Sequence, residues 1–455
     1  VRRPGRGAQR VTAAAGFRHP AQVVATGFAS AVLIGACLLS LPVATASGER
    51  ADVIDALFTS TSAVCVTGLV TVDTGGYWST FGEIVILVLI QAGGLGIMTL
   101  ATLFAVLVSR RLGLRARLLA QAETKTLSLK DVRRVVRNIV LFSLVSEAVV
   151  AVALTAAFFF GHEQGLGRAV YDGVFHAVSS FNNAGFSTHS DSLMRYVGDP
   201  WVCLPVAAAV IAGGLGFPVI FELRRSLRRP RTWSVLTRIT VTLTVTLLAV
   251  GTVAITLAEY TNPRTLGSLS GDDKWLAGFF ASVMARTAGF NSIDTSAQGS
   301  ESLLVTDILM FIGGGSAGTA GGIKVTTFGL LAYVIWAEMR GESSVEVGRR
   351  RVPSSNQRQA LAVALLSIGT VVLATFLLLG ASGHSLERVL FEAASAFGTV
   401  GLSTGITDEL PAFGQSVLIV LMFVGRIGPL TLASALALRD RTRLYELPEE
   451  RTIVG

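Results

Sequence analysis

Four times along this chain an apolar run breaks into a short polar stretch holding a glycine followed by an apolar residue. The stretches are "IDALFTSTSAVCVTGLVTVDTG", "YDGVFHAVSSFNNAGFSTHSDS", "WLAGFFASVMARTAGFNSIDTS" and "VLFEAASAFGTVGLSTGITDEL". Their glycines are Gly68, Gly185, Gly289 and Gly401, at spacings of 117, 104 and 112 residues. A second mark follows each after 25, 28, 24 and 24 residues: "QAGGLGIMTL", "IAGGLGFPVI", "IGGGSAGTAGGIKVTTF" and "FVGRIGPLTL". The matched order describes one unit of helix, short re-entrant helix, glycine turn and helix, repeated four times. Irregular backbone at membrane depth is tolerated only where protein buries it or it lines a water-filled cavity. Four such turns are best accommodated around a common axis. Glycine's access to positive φ lets successive carbonyls point the same way, and a ring of carbonyls can replace the water shell of a potassium ion.

The rest of the chain supports a bilayer setting. Of 455 residues, 51% are hydrophobic and 15% charged, against roughly a quarter charged in soluble domains. Eight segments reach the roughly 20 apolar residues that a spanning helix needs: 21–46, 82–109, 136–160, 201–222, 236–259, 303–338, 357–381 and 413–438. The run at 21–46 is followed by "ATASGER", which resembles a cleavage site, but the repeat needs this helix, and a retained first span is expected. The predicted fold is an all-α polytopic membrane protein with four M1–pore helix–M2 repeats around one pseudo-fourfold pore and eight transmembrane helices. The predicted division is a basic N-terminus (1–20), repeat 1 (21–110), repeat 2 (111–225), repeat 3 with a broken second helix (226–340), repeat 4 (341–440) and a C-terminal tail (441–455).

Charge placement gives an orientation. Of 38 Lys and Arg, 29 fall in the two termini and the connections 109–137, 222–238 and 338–358, which hold only 10 of the 30 acidic residues. The positive-inside rule puts these segments, and both termini, in the cytoplasm. The net charge of +8 is thereby explained without a nucleic-acid partner. Cys37, Cys65 and Cys203 form no metal or disulfide pattern, and no zinc spacing, nucleophile elbow or catalytic carboxylate pair suggests an enzyme.

The motifs "SAVCVTGL", "FNNAGFS", "ARTAGFN" and "FGTVGLSTG", with "GGGSAGTAGGIK" and "GRIGPLTLASAL", resemble the Trk/Ktr/HKT potassium transporters, the Ktr branch in particular. The resemblance runs from about residue 20 to 440. It implies a bacterial plasma-membrane potassium-uptake subunit that dimerises in the membrane, is commonly stimulated by sodium, and is regulated by a cytosolic KtrA-like ring of RCK subunits. The nucleotide would be bound by that partner, since here Ile323 separates Gly322 from Lys324 and spoils the Gly-Lys-Ser/Thr of a P-loop. The expected potassium filter comprises Cys65, Val66, Thr67 and Gly68; Asn182, Asn183, Ala184 and Gly185; Thr287, Ala288 and Gly289; and Thr399, Val400 and Gly401. Potassium, the transported ion, is the only metal assigned, and backbone carbonyls rather than the asparagine side chains are expected to touch it.

Three further expectations concern the pore. Gly313, Gly314, Gly315, Ser316, Ala317, Gly318, Thr319, Ala320, Gly321 and Gly322, with Lys324 beside them, are too glycine-rich for continuous helix and are predicted to form a flexible gate loop. Arg426 stands at membrane depth without a nearby acid, where a charge is costly unless it faces water or a partner; the resemblance implies a barrier to cations there. Arg286 is expected to turn outward and pair with an acid such as Asp294 or Asp307. Two questions stay open: whether "GGLG" at 93–96 and 213–216 marks only helix packing, and whether Asp73, Asp191, Asp294 and Asp408 form a cation-attracting mouth or cap turns. A sodium- or proton-coupled symporter is the alternative function. It would need buried acids, and Glu83 and Glu147 read as lying near span ends or standing alone.

Overall fold

The computed structural model describes residues 20–111, 129–348 and 350–428. Most of the basic N-terminus, residues 112–128, the end of the last predicted span and the C-terminal tail lie outside them.

Within the described residues, a long leading helix, a short helix ending in a turn, and a closing helix recur four times. The first unit runs Pro20–Leu39, Val53–Cys65 and Thr80–Arg111. The second runs Leu129–Ala156, Leu166–Phe181 and Pro200–Leu215, the last bent by 100° into Phe217–Ser226. The third runs Val235–Glu259, Gly271–Met284 and a closing helix broken into Ser300–Phe311 and Val325–Met339. The fourth runs Ser354–Ala381, Leu386–Gly398 and Ala412–Ile427. A small antiparallel hairpin pairs Glu346–Val347 with Arg350–Arg351.

Among the described residues, four continuous helices are long and apolar enough to cross a bilayer, and they are the four leading helices. Only 22–28% of their apolar windows is buried in the protein, so Val152, Val245 and Phe376 turn outward. The short helices reverse this pattern: Thr59, Ser60, Ser62, Ser179, Ser180 and Ser395 are fully buried. Apolar outside and polar inside is the arrangement lipid imposes, because it leaves no polar group facing hydrocarbon.

The closing helices are less regular than eight uniform spans would require. The predicted span 201–222 bends at Gly216, which has φ +86°, and Pro218 lacks the N–H that would continue the helix. The span 303–338 is interrupted for the whole of residues 312–324, as its glycines predicted.

Candidate functional site

Each short helix ends in a turn of one design. Two residues before each glycine stands a left-handed residue: Val66, Asn183, Thr287 and Thr399, with φ of 56°, 60°, 71° and 49°. The glycines follow at φ +92°, +71°, +73° and +99°. Asparagine tolerates this region, but valine and threonine are strained there. Sequence reasoning assigned the positive φ to the glycines and missed these partners, which a comparison of the four turns position by position would have flagged.

The turns close on one another. A methyl group on Gly68 would be driven into the Ala184 carbonyl, on Gly185 into that of Ala288, on Gly289 into that of Val400, and on Gly401 into that of Thr67. The same hypothetical methyls would lie 3.0–3.2 Å from the Cα atoms of Gly185, Gly289, Gly401 and Gly68 in turn. One, two, three, four and back to one, the turns form a complete ring. Above it opens a cavity of about 410 Å³, whose lining includes all four glycines.

The loops beyond the ring are clasped to the short helices in a repeated way. Ser62 Oγ accepts the Gly68 N–H (3.0 Å) and Ser395 Oγ accepts that of Gly401 (3.1 Å), while Ser179 Oγ donates to the Phe186 carbonyl (2.8 Å). Thr71 Oγ1 donates to Asp55 (2.7 Å) and Thr188 Oγ1 to Asp172 (2.8 Å). His176 Nε2 meets Ser187 Oγ at 2.9 Å, and at the matching place Glu392 accepts from Ser403 Oγ (2.6 Å) and the Thr404 N–H (2.9 Å). The third turn has none of these: Val283, Leu276 and Phe280 occupy the equivalent positions.

Below the ring runs the loop 313–322. Gly313 N–H donates to the Ile323 carbonyl (2.8 Å), Gly315 N–H to Gly214 (2.7 Å), Thr319 N–H to Gly213 (3.1 Å) and Val325 N–H to Gly314 (3.0 Å). Thr319 Oγ1 donates to Asn183 Oδ1 in the second turn (2.8 Å). Gly321 lies so close to Thr399 of the fourth turn that no side chain fits. Lys324 Nζ turns back to the Ala320 and Gly321 carbonyls. The expected flexible segment is thus seated against the ring by a set of hydrogen bonds.

Two arginines hold that loop. Arg426, 3% exposed, donates to the carbonyls of Thr319 in the loop and of Gly93 in the first closing helix, the latter at 3.2 Å. Carbonyl oxygens supply the partner that no acid does. Arg286 departs from expectation: rather than turning outward to Asp294 or Asp307, it is buried and donates to the carbonyls of Thr244 (3.3 Å) and Gly313 (3.0 Å). A broken helix leaves carbonyls without intrahelical partners, and Arg286 is the donor that reaches one of them.

Asn182 and Asn183 part company. Asn183 points at the loop and at Thr287 of the third turn (3.4 Å), whereas the Asn182 amide points away from the ring, towards Gln91 and Glu147. Glu147 therefore does not stand alone, as the sequence suggested. The glycines of the second marks pack: a methyl on Gly93, Gly213 or Gly425 would enter the carbonyl of Val64, Phe181 or Phe397, each four residues before a ring glycine. The acidic residues divide. Asp73, Asp294 and Asp408 line the cavity above the ring, and Asp294 also caps its own turn through the Ser296 N–H (2.9 Å). Asp191 instead pairs with Arg195 at 2.6 Å. Burial raises its carboxyl, but the hydrogen bonds and charge of Arg195 hold it below the usual carboxylate range overall.

Known proteins share this architecture. Residues 13–442 match the TrkH family, described as cation transport protein. The chain is 41% identical to the Ktr system potassium uptake protein B of Bacillus subtilis over 436 residues, 96% of this chain and 97% of that protein. It is 35% identical to the potassium/sodium uptake protein NtpJ of Enterococcus hirae, again over 96% and 97%. The crystal structure of the potassium transporter TrkH from Vibrio parahaemolyticus superposes with a TM-score of 0.73 at 18% identity, covering 94% of this chain and 87% of that one.

Proposed function

Because the chain belongs to the TrkH family of cation transport proteins, a family of membrane transporters and not of enzymes, we propose that it is the potassium-translocating subunit of a Ktr-type uptake system. The observation that carries this reading is the closed ring of four turns beneath an open cavity. Left-handed residues two before each glycine, and the glycines themselves, turn the intervening peptides so that carbonyls crowd one axis. Such oxygens replace the hydration shell of a dehydrated cation. Residues Cys65–Gly68, Asn182–Gly185, Thr287–Gly289 and Thr399–Gly401 are the four walls of this filter, with the side chain of Asn182 outside it. Asp73, Asp294 and Asp408 raise the local concentration of cations at its mouth.

The loop 313–322 is the gate. It lies across the exit of the ring, and Lys324 and Arg426 place positive charge there, a barrier that a cation meets until the loop moves. Moving it requires breaking the bonds to Gly213, Gly214 and Asn183 and the hold of Arg426 on Thr319. A cytosolic nucleotide-binding RCK ring on the basic face, stimulation by sodium, a homodimer in the bacterial plasma membrane and cytoplasmic termini complete the proposal. The charge asymmetry supports the cytoplasmic termini, the relatives named as parts of a Ktr system support a partner subunit, and the rest is what the resemblance implies. Reconstitution into proteoliposomes tests it: potassium flux should exceed sodium flux, and deleting residues 316–321 of the loop, which leaves the Gly313 carbonyl to Arg286, should raise potassium flux. Equal fluxes of the two ions would overturn the filter assignment, and unchanged flux after deletion would overturn the gate.

A further inference from the structure

Glu147 sits on the leading helix of the second unit, 5% exposed, beside the outer side of the second turn. Its Oε1 accepts three hydrogen bonds: from Ser143 Oγ one helical turn earlier (2.7 Å), from Gln91 Nε2 on the first closing helix (3.1 Å) and from Asn182 Nδ2 (3.2 Å). Asn182 Nδ2 also faces Gln91 Oε1 (3.0 Å) and the Val178 carbonyl (2.9 Å). All three neighbours of Nδ2 are acceptors, which fixes the orientation of the amide. Its Oδ1 is consequently left without a partner and rests against Gly94, where any side chain would collide with it.

This cluster has a direct line to the ring. Asn182 immediately precedes Asn183, the left-handed residue of the second turn, whose side chain reaches both Thr287 of the third turn and Thr319 of the loop. The other three turns carry Cys65, Arg286 and Gly398 at the position of Asn182, so no carboxamide braces them in this way. All three of Glu147's hydrogen-bonding partners are neutral donors. A carboxylate at membrane depth is costly, and one held by three donors around a filter residue marks a function for the site.

We propose that Glu147 is a positioning residue for ion specificity: through Asn182 it holds the second wall at the spacing that favours potassium over sodium. The proposal rests on reading the ring as a potassium filter. Discrimination in a carbonyl ring depends on where its oxygens stand and how strongly they are held. Removing Oε1 leaves Ser143 Oγ and Gln91 Nε2 without their acceptor and takes from the Asn182 amide its tie to the leading helix, so that wall two relaxes while the other walls stay in place.

The test is the ratio of potassium to sodium flux in proteoliposomes at equal amounts of folded protein. Glu147→Ala should lower the ratio by about fivefold, as loss of a buried hydrogen-bonded brace predicts, while Glu147→Gln, which keeps a carbonyl acceptor, should stay within about twofold of wild type. A merely structural role would reduce the yield of folded protein and leave the ratio alone. A wild-type ratio near one would overturn the filter reading and this proposal together. A wild-type ratio well above one that Glu147→Ala leaves unchanged would overturn the proposal alone. Should Glu147→Ala fail to fold, Asn182→Ala decides: it removes the amide through which Glu147 acts on the second wall, and an unchanged ratio there refutes the proposal.

Discussion

The third turn and the fourth make the same bend with different supports. In the fourth, Ser395 holds the Gly401 N–H and Glu392 gathers Ser403, Thr404 and Thr407, all within one short helix and its following loop. In the third, Val283 and Phe280 offer no such groups. The polar anchor there is Arg286, which reaches down to Thr244 and to Gly313 at the head of the loop. The fourth wall is therefore braced from within its own unit, whereas part of the third wall's brace belongs to the segment proposed to move. A loop that carries load for a wall of the ring cannot be displaced without that wall losing a partner.

Removing the third wall's brace should have the largest effect. Arg286→Ala deletes charged hydrogen bonds to two carbonyls, at about 1.5–3 kcal/mol each, and should unfold the detergent-purified protein at markedly lower temperature and abolish potassium uptake. Arg286→Lys, a point charge on a flexible stem, cannot span both carbonyls and should fall between alanine and wild type. Wild-type stability and flux in the alanine variant would dissolve the contrast between the walls.

The next test exchanges the two designs. Ser395→Ala leaves the Gly401 N–H buried without its acceptor and should cost about 1–2 kcal/mol in denaturant unfolding. The reverse exchange, Val283→Ser, should not stabilise: the Gly289 N–H already reaches the Met284 carbonyl (3.3 Å), and the new hydroxyl loses apolar contacts at a cost of about 1 kcal/mol. A stabilised Val283→Ser protein would show that the third wall lacks nothing but a hydroxyl.

The smallest effect lies above the ring, where Asp191 and Arg195 pair in partial exposure, with side chains 30% and 48% accessible. Solvent screening limits the pair to about 0.5 kcal/mol. The folded carboxyl is held below its unfolded value, so its contribution is fully present above about pH 4 and is lost as pH falls through the lower folded value. Arg195→Ala should therefore be slightly less stable than wild type at neutral pH, with the gap closing in acid. A gap that persists in acid would mean that Arg195 acts through packing instead.

The repeated frame was legible because it is written in backbone requirements. Glycines at matched distances, polar stretches between apolar runs and a helix that its own glycines break all report what the main chain must do. Side-chain partners were less legible, because they depend on which carbonyls the irregular segments leave unpaired. Arg286 was expected to pair with an acid such as Asp294 or Asp307 and found Gly313; Asn182, expected in the filter through its backbone, turns its side chain to Glu147, which lies 35 residues away in sequence. Valine and threonine in the left-handed region ran against local preference, which the closure of the ring overrides. The clasp of His176 with Ser187, nine residues before and two after Gly185, recurs as Glu392 with Ser403 around Gly401. That correspondence was present in the sequence, though hidden by the change of residue type.

The ring also fixes an order of events in the making of the protein. Its last joint sets Gly401 against Thr67 and Gly68, and Arg426 reaches back 333 residues to Gly93. During synthesis the first three turns emerge long before the fourth exists, and domains and segments assemble from the N-terminus as they appear. Until then the first wall is an open edge, its strained turn without the neighbour that holds it. The ring is accordingly closed in one late step, and a ribosome that stops before Gly401 leaves behind helices but no closed ring.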